Sequence, residues 1–301
     1  DLDIFVANDS QANFLWRNDG DLRFEEIAAV AGVATNEDAK EQAGMGADAA
    51  DYDGDGRIDL VVTNFSHDWN TLHRNLGNAT FLDTTFQSGL RDTYLDLAWG
   101  VRFGDLDNDG LQDLWIANGH IYPEVDDHPH LKTSFRQPDR LYRNAGDGTF
   151  TDITNAAGPA VSGPDGTRGL VFVDLDRDGR LDVITSRLDE SPEILRNATV
   201  FDGAWVSIRL EDDGGNRHGI GARLSLEADG VVHVREINPF GSYLSTGEAS
   251  AHFGLGQATT IDRLTVRWPD GTSEDVPDVP IRRFVTVTRG RGVTGSTGPS
   301  R

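Results

Sequence analysis

Four aspartates at fixed spacing around a glycine, Asp-x-Asp-x-Asp-Gly-x-x-Asp, occur three times in this chain, at 51–59, 105–113 and 174–182. In the first copy the carboxylates are Asp51, Asp53, Asp55 and Asp59; in the second Asp105, Asp107, Asp109 and Asp113; in the third Asp174, Asp176, Asp178 and Asp182. Carboxylates at loop positions 1, 3, 5 and 9 around a tight turn converge hard oxygen donors on one point, which is what Ca²⁺ requires. The backbone carbonyls of Arg57, Leu111 and Arg180, at position 7, are expected as extra ligands. An EF-hand would place Glu at position 12, where this chain has Val62, Ile116 and Thr185. Asp and Gly also form ordinary turns. A turn, however, needs two or three such residues and never four carboxylates in register, three times over.

The stretches that follow, 60–63, 114–117 and 183–186, are short and rich in β-branched or aromatic residues, so each loop feeds a strand and not a helix. A small-residue or apolar strand is expected before each loop, at 44–50, 99–104 and 169–173. The last Asp of each loop recurs at 59, 113 and 182, and Asp3 fits the same position of an earlier copy, because Asp3-Ile4-Phe5-Val6 parallels Asp59-Leu60-Val61-Val62. After each comes an Arg-Asn turn, at Arg17-Asn18, Arg74-Asn75, Arg143-Asn144 and Arg196-Asn197. The first three turns lead to a strand centred on Phe24, Phe81 or Phe150. Four short strands repeating at this period are the pattern of propeller blades.

Composition narrows the function classes. The 301 residues carry 50 Asp and Glu against 27 Lys and Arg, a net charge of −23, nearly all of it before residue 203. Such a field repels phosphate backbones and excludes nucleic acid as a partner. Cysteine is absent, so disulfides and thiolate sites play no part. No apolar run reaches the roughly 18 residues of a membrane span, so no membrane insertion is expected. The chain opens on Asp1, partway through a repeat, so the lack of a signal peptide says nothing about secretion. Calcium modules of this kind usually fill outside the cytosol, which points to an extracellular, cell-surface or periplasmic location.

The repeats resemble FG-GAP/VCBS repeats, the calcium-bearing blades also found in integrin α-chain propellers. Residues 203–290 resemble the ASPIC/UnbV domain, through Gly215-Asn216-Arg217-His218-Gly219-Ile220-Gly221-Ala222-Arg223, Arg235-Glu236, Gly241-Ser242-Tyr243-Leu244-Ser245, His252-Phe253-Gly254-Leu255-Gly256 and Val266-Arg267-Trp268-Pro269-Asp270-Gly271. Repeats followed by that domain are the layout of the cartilage acidic protein-like family, and the likeness covers nearly the whole chain. It implies an all-β architecture: propeller repeats over 1–200, a compact β-rich domain over 203–290 and a flexible tail over 291–301. The family's propellers are usually seven-bladed, so the four units here are expected to be a partial propeller or a fragment of one.

Other constellations are weaker. His120, Tyr122, His128 and His130 lie in a long insertion, 118–138, where ordered loops commonly bind partners. The three histidines with Glu124, Asp126 and Asp127 have the residue types of a transition-metal site, but such runs are more often solvated loop. Trp69, Trp99 and Trp115 have rings that can stack on sugars, yet on strands such rings usually fill the core. No nucleophile elbow or dinucleotide frame is present. The sequence therefore reads as a secreted or surface-exposed adhesion or interaction protein without catalysis, holding about three structural Ca²⁺ ions and binding an extracellular protein or glycan. The alternative is a carbohydrate-binding scaffold or an accessory part of a polysaccharide-active enzyme. Arg217, Arg223 and Arg235, in a near-neutral domain beside a strongly acidic one, are expected to supply some of the contact between the two.

Overall fold

The computed structural model describes residues 2–201 and 203–300, so Asp1 and Arg301, the outermost residues of the expected repeats and tail, lie outside the described residues. The regular secondary structure is almost entirely β. Blade 1 is a three-stranded meander of β1 (Ile4–Val6), β2 (Phe14–Asn18) and β3 (Phe24–Glu26), followed by the one-turn helix α1 (Ala28–Ala31). Blade 2 has four strands, β4 (Gly44–Ala50), β5 (Asp59–Asn64), β6 (Thr71–Gly77) and β7 (Thr80–Asp83). Blade 3 repeats it with β8 (Ala98–Gly104), β9 (Asp113–Asn118), β10 (Arg140–Asn144) and β11 (Phe150–Asp152), then the short helix α2 (Pro159–Ser162). Blade 4 stops at three strands, β12 (Thr167–Val173), β13 (Asp182–Arg187) and β14 (Glu193–Leu195).

All neighbours within a blade are antiparallel, and each acidic loop is the hairpin between a blade's first and second strands. First strands β4, β8 and β12 lie side by side. They are glycine-rich because their backbones nearly touch: a β-carbon on Gly46 would collide with the Trp99 carbonyl. Apolar cores form between blades. Tyr52, Val61, Leu72 and Leu90 of blade 2 meet Leu114, Tyr142 and Phe150 of blade 3, with the Tyr52 and Phe150 rings stacked 5.7 Å apart. Trp115 is buried in the next such core, and Trp99 is buried beside Tyr243, so neither is free to stack on a sugar. The insertion 118–138 is ordered by two 3₁₀ turns, Pro123–Asp127 and Pro129–Leu131.

The remainder is a sandwich of two four-stranded sheets over one core. One sheet is ordered β18 (Ser250–Gly254), β15 (Trp205–Glu211), β21 (Arg283–Thr288), β22 (Gly292–Thr297), with β15 and β21 parallel. The other is β17 (Val231–Glu236), β16 (Arg223–Ala228), β19 (Arg263–Arg267), β20 (Ser273–Val276). Alternate residues point inward, Val206, Ile208 and Leu210 from one sheet facing Leu224, Leu226, Leu264 and Val266 from the other. Strand β22 corrects the expected flexible tail. Its Gly- and Thr-rich composition reads as loop, but an edge strand needs only backbone hydrogen bonds, and residues 292–297 pair with β21.

Candidate metal centres

The three acidic loops share one hydrogen-bonded frame. The N–H of the position-6 glycine donates to the first carboxylate: Gly56 to Asp51 at 3.0 Å, Gly110 to Asp105 at 2.8 Å, Gly179 to Asp174 at 2.8 Å. Those glycines have φ of 84°, 98° and 91°, and Gly56 has no neighbour near its missing β-carbon, so backbone conformation alone demands glycine there. The ninth residue accepts from the second residue's N–H: Asp59 from Tyr52, Asp113 from Leu106, Asp182 from Leu175.

Folding brings carboxylate oxygens of Asp51, Asp53 and Asp59 within 4.8 Å of one another; Asp105, Asp107 and Asp109 converge likewise, as do Asp174, Asp176 and Asp182. These three groups could each hold a metal ion. The donor set fits a hard cation on two observations. Asp51 Oδ1 and Asp105 Oδ1 are buried with no hydrogen-bond partner, a costly state for a carboxylate unless a cation faces it. Burial also pushes carboxyls up, Asp59 and Asp105 to about 7, Asp113 to about 8 and Asp174 to about 6, with neighbouring loop aspartates adding to the shift. A cation among them would hold all of them ionised.

The Arg-Asn pair serves these loops, a role its sequence did not reveal, and in blades 1 to 3 it lies within strands β2, β6 and β10 and not in the expected turn. Arg74 pairs with Asp53 at 2.5 Å and Asp55 at 3.3 Å. Arg143 pairs with Asp107 at 2.9 Å and Asp109 at 3.1 Å, and Arg196 with Asp176 at 2.8 Å and Asp178 at 3.4 Å. The following asparagine donates its N–H to position 9, Asn75 to Asp59 at 2.7 Å, Asn144 to Asp113 at 2.9 Å and Asn197 to Asp182 at 2.8 Å. Its side-chain amide donates to the position-8 carbonyl of Ile58, Gln112 or Leu181. The signal available was the fixed recurrence of Arg-Asn one strand after every loop. At position 7, Arg57 and Arg180 fold their guanidinium groups onto Asp55 and Asp178, whereas Leu111 cannot.

The sandwich is seated on all three loops. Arg223 donates to the Gly56 carbonyl, and Arg235 to the Gly110 carbonyl at 3.3 Å, with His233 Nδ1 3.2 Å from that same oxygen. Trp205 lies against Gly179, and Gly254 abuts Asp105 and Asn108 so closely that a β-carbon would collide with both. Two of the three expected arginines, Arg223 and Arg235, therefore supply this contact. The segment 241–245 runs along the blades' first strands: Ser242 N–H donates to the Ala47 carbonyl at 2.9 Å, and its Oγ accepts from Val101 N–H at 3.2 Å.

In the insertion, His120 is only 5% exposed and packs edge-on to Phe65, with Nδ1 accepting from Tyr122 N–H at 3.1 Å. Tyr122, His128 and His130 are exposed. Among the described residues these histidines and the nearby acids form no metal-holding group.

Comparison with known proteins agrees with this construction. The FG-GAP-like repeat matches residues 1–62, 51–116 and 133–185, more than half the chain, and the ASPIC and UnbV family matches 212–294. Cartilage acidic protein 1 of Homo sapiens is 31% identical over 89% of the chain, that of Xenopus tropicalis 31% over 89%, and that of Mus musculus 29% over 89%. The chain spans only 39–40% of the length of these relatives. A solved structure, "Structural basis of specific recognition of non-reducing terminal N-acetylglucosamine by an Agrocybe aegerita lection", aligns over 91% of this chain and 76% of that one, at 17% identity and a TM-score of 0.36, too slight a likeness to carry an argument. The chain belongs to the FG-GAP-like repeat family and sets those repeats ahead of an ASPIC and UnbV domain, the order of cartilage acidic protein-like chains.

Proposed function

We propose that the chain is a calcium-binding extracellular interaction module without catalysis of its own, with repeats over 1–200 and a second domain from 203. The ligands of the three ions would be the loop aspartates at positions 1, 3, 5 and 9, with the carbonyls of Arg57, Leu111 and Arg180. The observation that carries this reading is the pair of buried, unpartnered oxygens Asp51 Oδ1 and Asp105 Oδ1 inside converging carboxylates. Calcium would act structurally, cancelling the repulsion within each loop and fixing the platform on which the sandwich rests. A calcium-ligating carboxylate is a poor proton shuttle, because the cation holds it ionised. No helix is long and apolar enough to cross a membrane, and the cartilage acidic protein relatives favour an extracellular setting. Titration calorimetry on the metal-stripped chain tests the reading: three ions per chain are expected, and no heat at millimolar calcium would overturn it. Screening extracellular proteins and a glycan array with and without chelator then separates protein adhesion from the carbohydrate-binding alternative.

A further inference from the structure

Between blades 2 and 3, at the end of the strands opposite the acidic loops, lies a groove of about 680 Å³ whose walls include His67, Arg91, Tyr94, Leu95, Leu131 and Lys132. Its size is that of a small-ligand site, roughly 300–1,000 Å³. Both blades have four strands and each has a further blade on its other side, so the groove belongs to the joint between two complete repeats. Its walls come from the loop between β5 and β6, from a 3₁₀ turn at Arg91–Thr93 and from the Pro129–Leu131 turn of the insertion. No strand edge opens into it, and a peptide would find no backbone ladder there.

The two cations of the groove are exceptions in their surroundings. Elsewhere in these acidic repeats arginines sit on carboxylates, as Arg74, Arg140, Arg143 and Arg187 do. Among the described residues, neither Arg91 nor Lys132 is in an ion pair. The one carboxylate on the wall, Asp92, is engaged elsewhere: it accepts from the Tyr142 hydroxyl at 2.7 Å and lies 3.5 Å from Arg140. Lys132 closes the Pro129–Leu131 turn with a φ of 55°, where glycine is the usual residue, so a side chain is kept there at a conformational cost.

The aromatic wall is fixed. The Tyr94 ring packs on Trp69 at 4.7 Å and edge-on to His67 at 5.8 Å. Trp69 Nε1 donates to the Arg91 carbonyl at 3.2 Å, and Arg91 Nε donates to the Phe86 carbonyl at 3.2 Å. His67 Nε2 lies 3.1 Å from the Leu131 carbonyl, which can only accept, so the histidine donates and ties the loop of blade 2 to the insertion of blade 3.

We propose that this groove binds an acidic saccharide, a sugar bearing a carboxylate, with its ring against Tyr94 and its charge at Arg91 and Lys132. A sugar's C–H face packs on an aromatic ring, and a guanidinium fork matches a carboxylate. Screening confines the negative field of the surrounding repeats to roughly 8 Å at physiological salt, so the unpaired cations decide what binds.

This names a ligand class for the interaction reading above and rests on it. Trigalacturonate titrated into the calcium-loaded chain should bind saturably by saturation-transfer NMR. Galactotriose, the same chain without carboxylates, should bind roughly tenfold or more weakly, the loss expected for charge-assisted hydrogen bonds. Lys132→Gly should weaken trigalacturonate by a similar factor with the melting temperature little changed, because glycine accepts that left-handed backbone. Arg91→Gln should weaken it likewise, with calcium stoichiometry intact. No binding of trigalacturonate at millimolar concentration, equal binding of galactotriose, full affinity in both variants, or equally tight binding of hexa-aspartate would each overturn the proposal. Calcium calorimetry on the same sample and the protein screen above report separately whether the interaction reading has failed.

Discussion

His252 Nε2 and Asn108 Oδ1, 144 residues apart, lie 2.7 Å from one another where the sandwich meets the second acidic loop. Burial drives the His252 imidazole down to about 3, so the ring is neutral and donates its Nε2–H to Asn108 Oδ1. Asn108 spends its remaining groups on the same joint, its Nδ2 on the Gly179 carbonyl at 2.9 Å and its own carbonyl on Gly256 N–H at 3.0 Å. One residue thus ties the second loop, the third loop and the sandwich together, and its φ of 59° is one that asparagine tolerates better than most.

Asn108→Ala is therefore expected to cost about 2–4 kcal/mol, since it orphans a buried imidazole N–H and a loop carbonyl and strains a left-handed backbone. Small-angle scattering should show a looser sandwich, while calorimetry still finds the first and third ions. A melting temperature within a degree of the parent would refute the role assigned to this residue.

Calcium removal should act on the joint as well as on the loops. The carbonyls of Gly56 and Gly110, which receive Arg223 and Arg235, belong to the acidic loops, so an emptied loop shifts the sandwich's footing. Asp53→Ala and Asp107→Ala should each delete one ion, and chelation of the parent should lower the melting temperature and raise the radius of gyration together. Unfolding without any change in domain arrangement beforehand would separate the two effects and contradict the linkage.

The metal-free and calcium-loaded chains should respond to pH in opposite senses. Asp59 and Asp113 are raised by burial to about 7 and about 8, above the unfolded value near 3.9. In the metal-free chain their contribution is full below that unfolded value and is lost as pH rises through 7–8. Metal-stripped protein should thus melt higher at pH 5.5 than at pH 8.5. With calcium present, protons compete for the same oxygens, and the order reverses. Scanning calorimetry at both pH values, with and without the metal, checks the crossing.

The acidic loops and their flanking strands were legible because both signals are local. Carboxylates at positions 1, 3, 5 and 9 mark a loop, and the strand expected over 44–50 has the bounds of β4. Phe24, Phe81 and Phe150 announced their strands in the same way. What the residues concealed was long-range. Ser242 reads as loop, yet its purpose lies in Ala47 and Val101, far away in sequence. Gly254 looks like a strand breaker and is in fact clearance for Asp105. His120, expected with Tyr122, His128 and His130 to face a partner from the 118–138 insertion, is instead buried against Phe65.

A last prediction follows from a difference between two blades. In blade 2, Asn70 Oδ1 accepts from Asn64 N–H at 2.8 Å; at the equivalent place in blade 3, Asp139 Oδ1 accepts from Asn118 N–H at 3.0 Å. The acid is needed because blade 3 has Trp115 where blade 2 has Val61, and Trp115 Nε1 donates to the second oxygen, Asp139 Oδ2, at 3.0 Å. An asparagine at 139 has one acceptor for these two donors, so one N–H must face an amide NH₂. Asp139→Asn should cost about 1–3 kcal/mol, and Trp115→Phe in the same chain should restore part of it by removing the second donor. Burial raises the Asp139 carboxyl to about 7, and Asn does not titrate, so the variant should also lose the share of pH dependence that this group contributes between the unfolded value and pH 7. A double-mutant cycle by chemical denaturation measures the coupling; additive losses from the two substitutions would show that Asp139 answers to something other than the Trp115 indole.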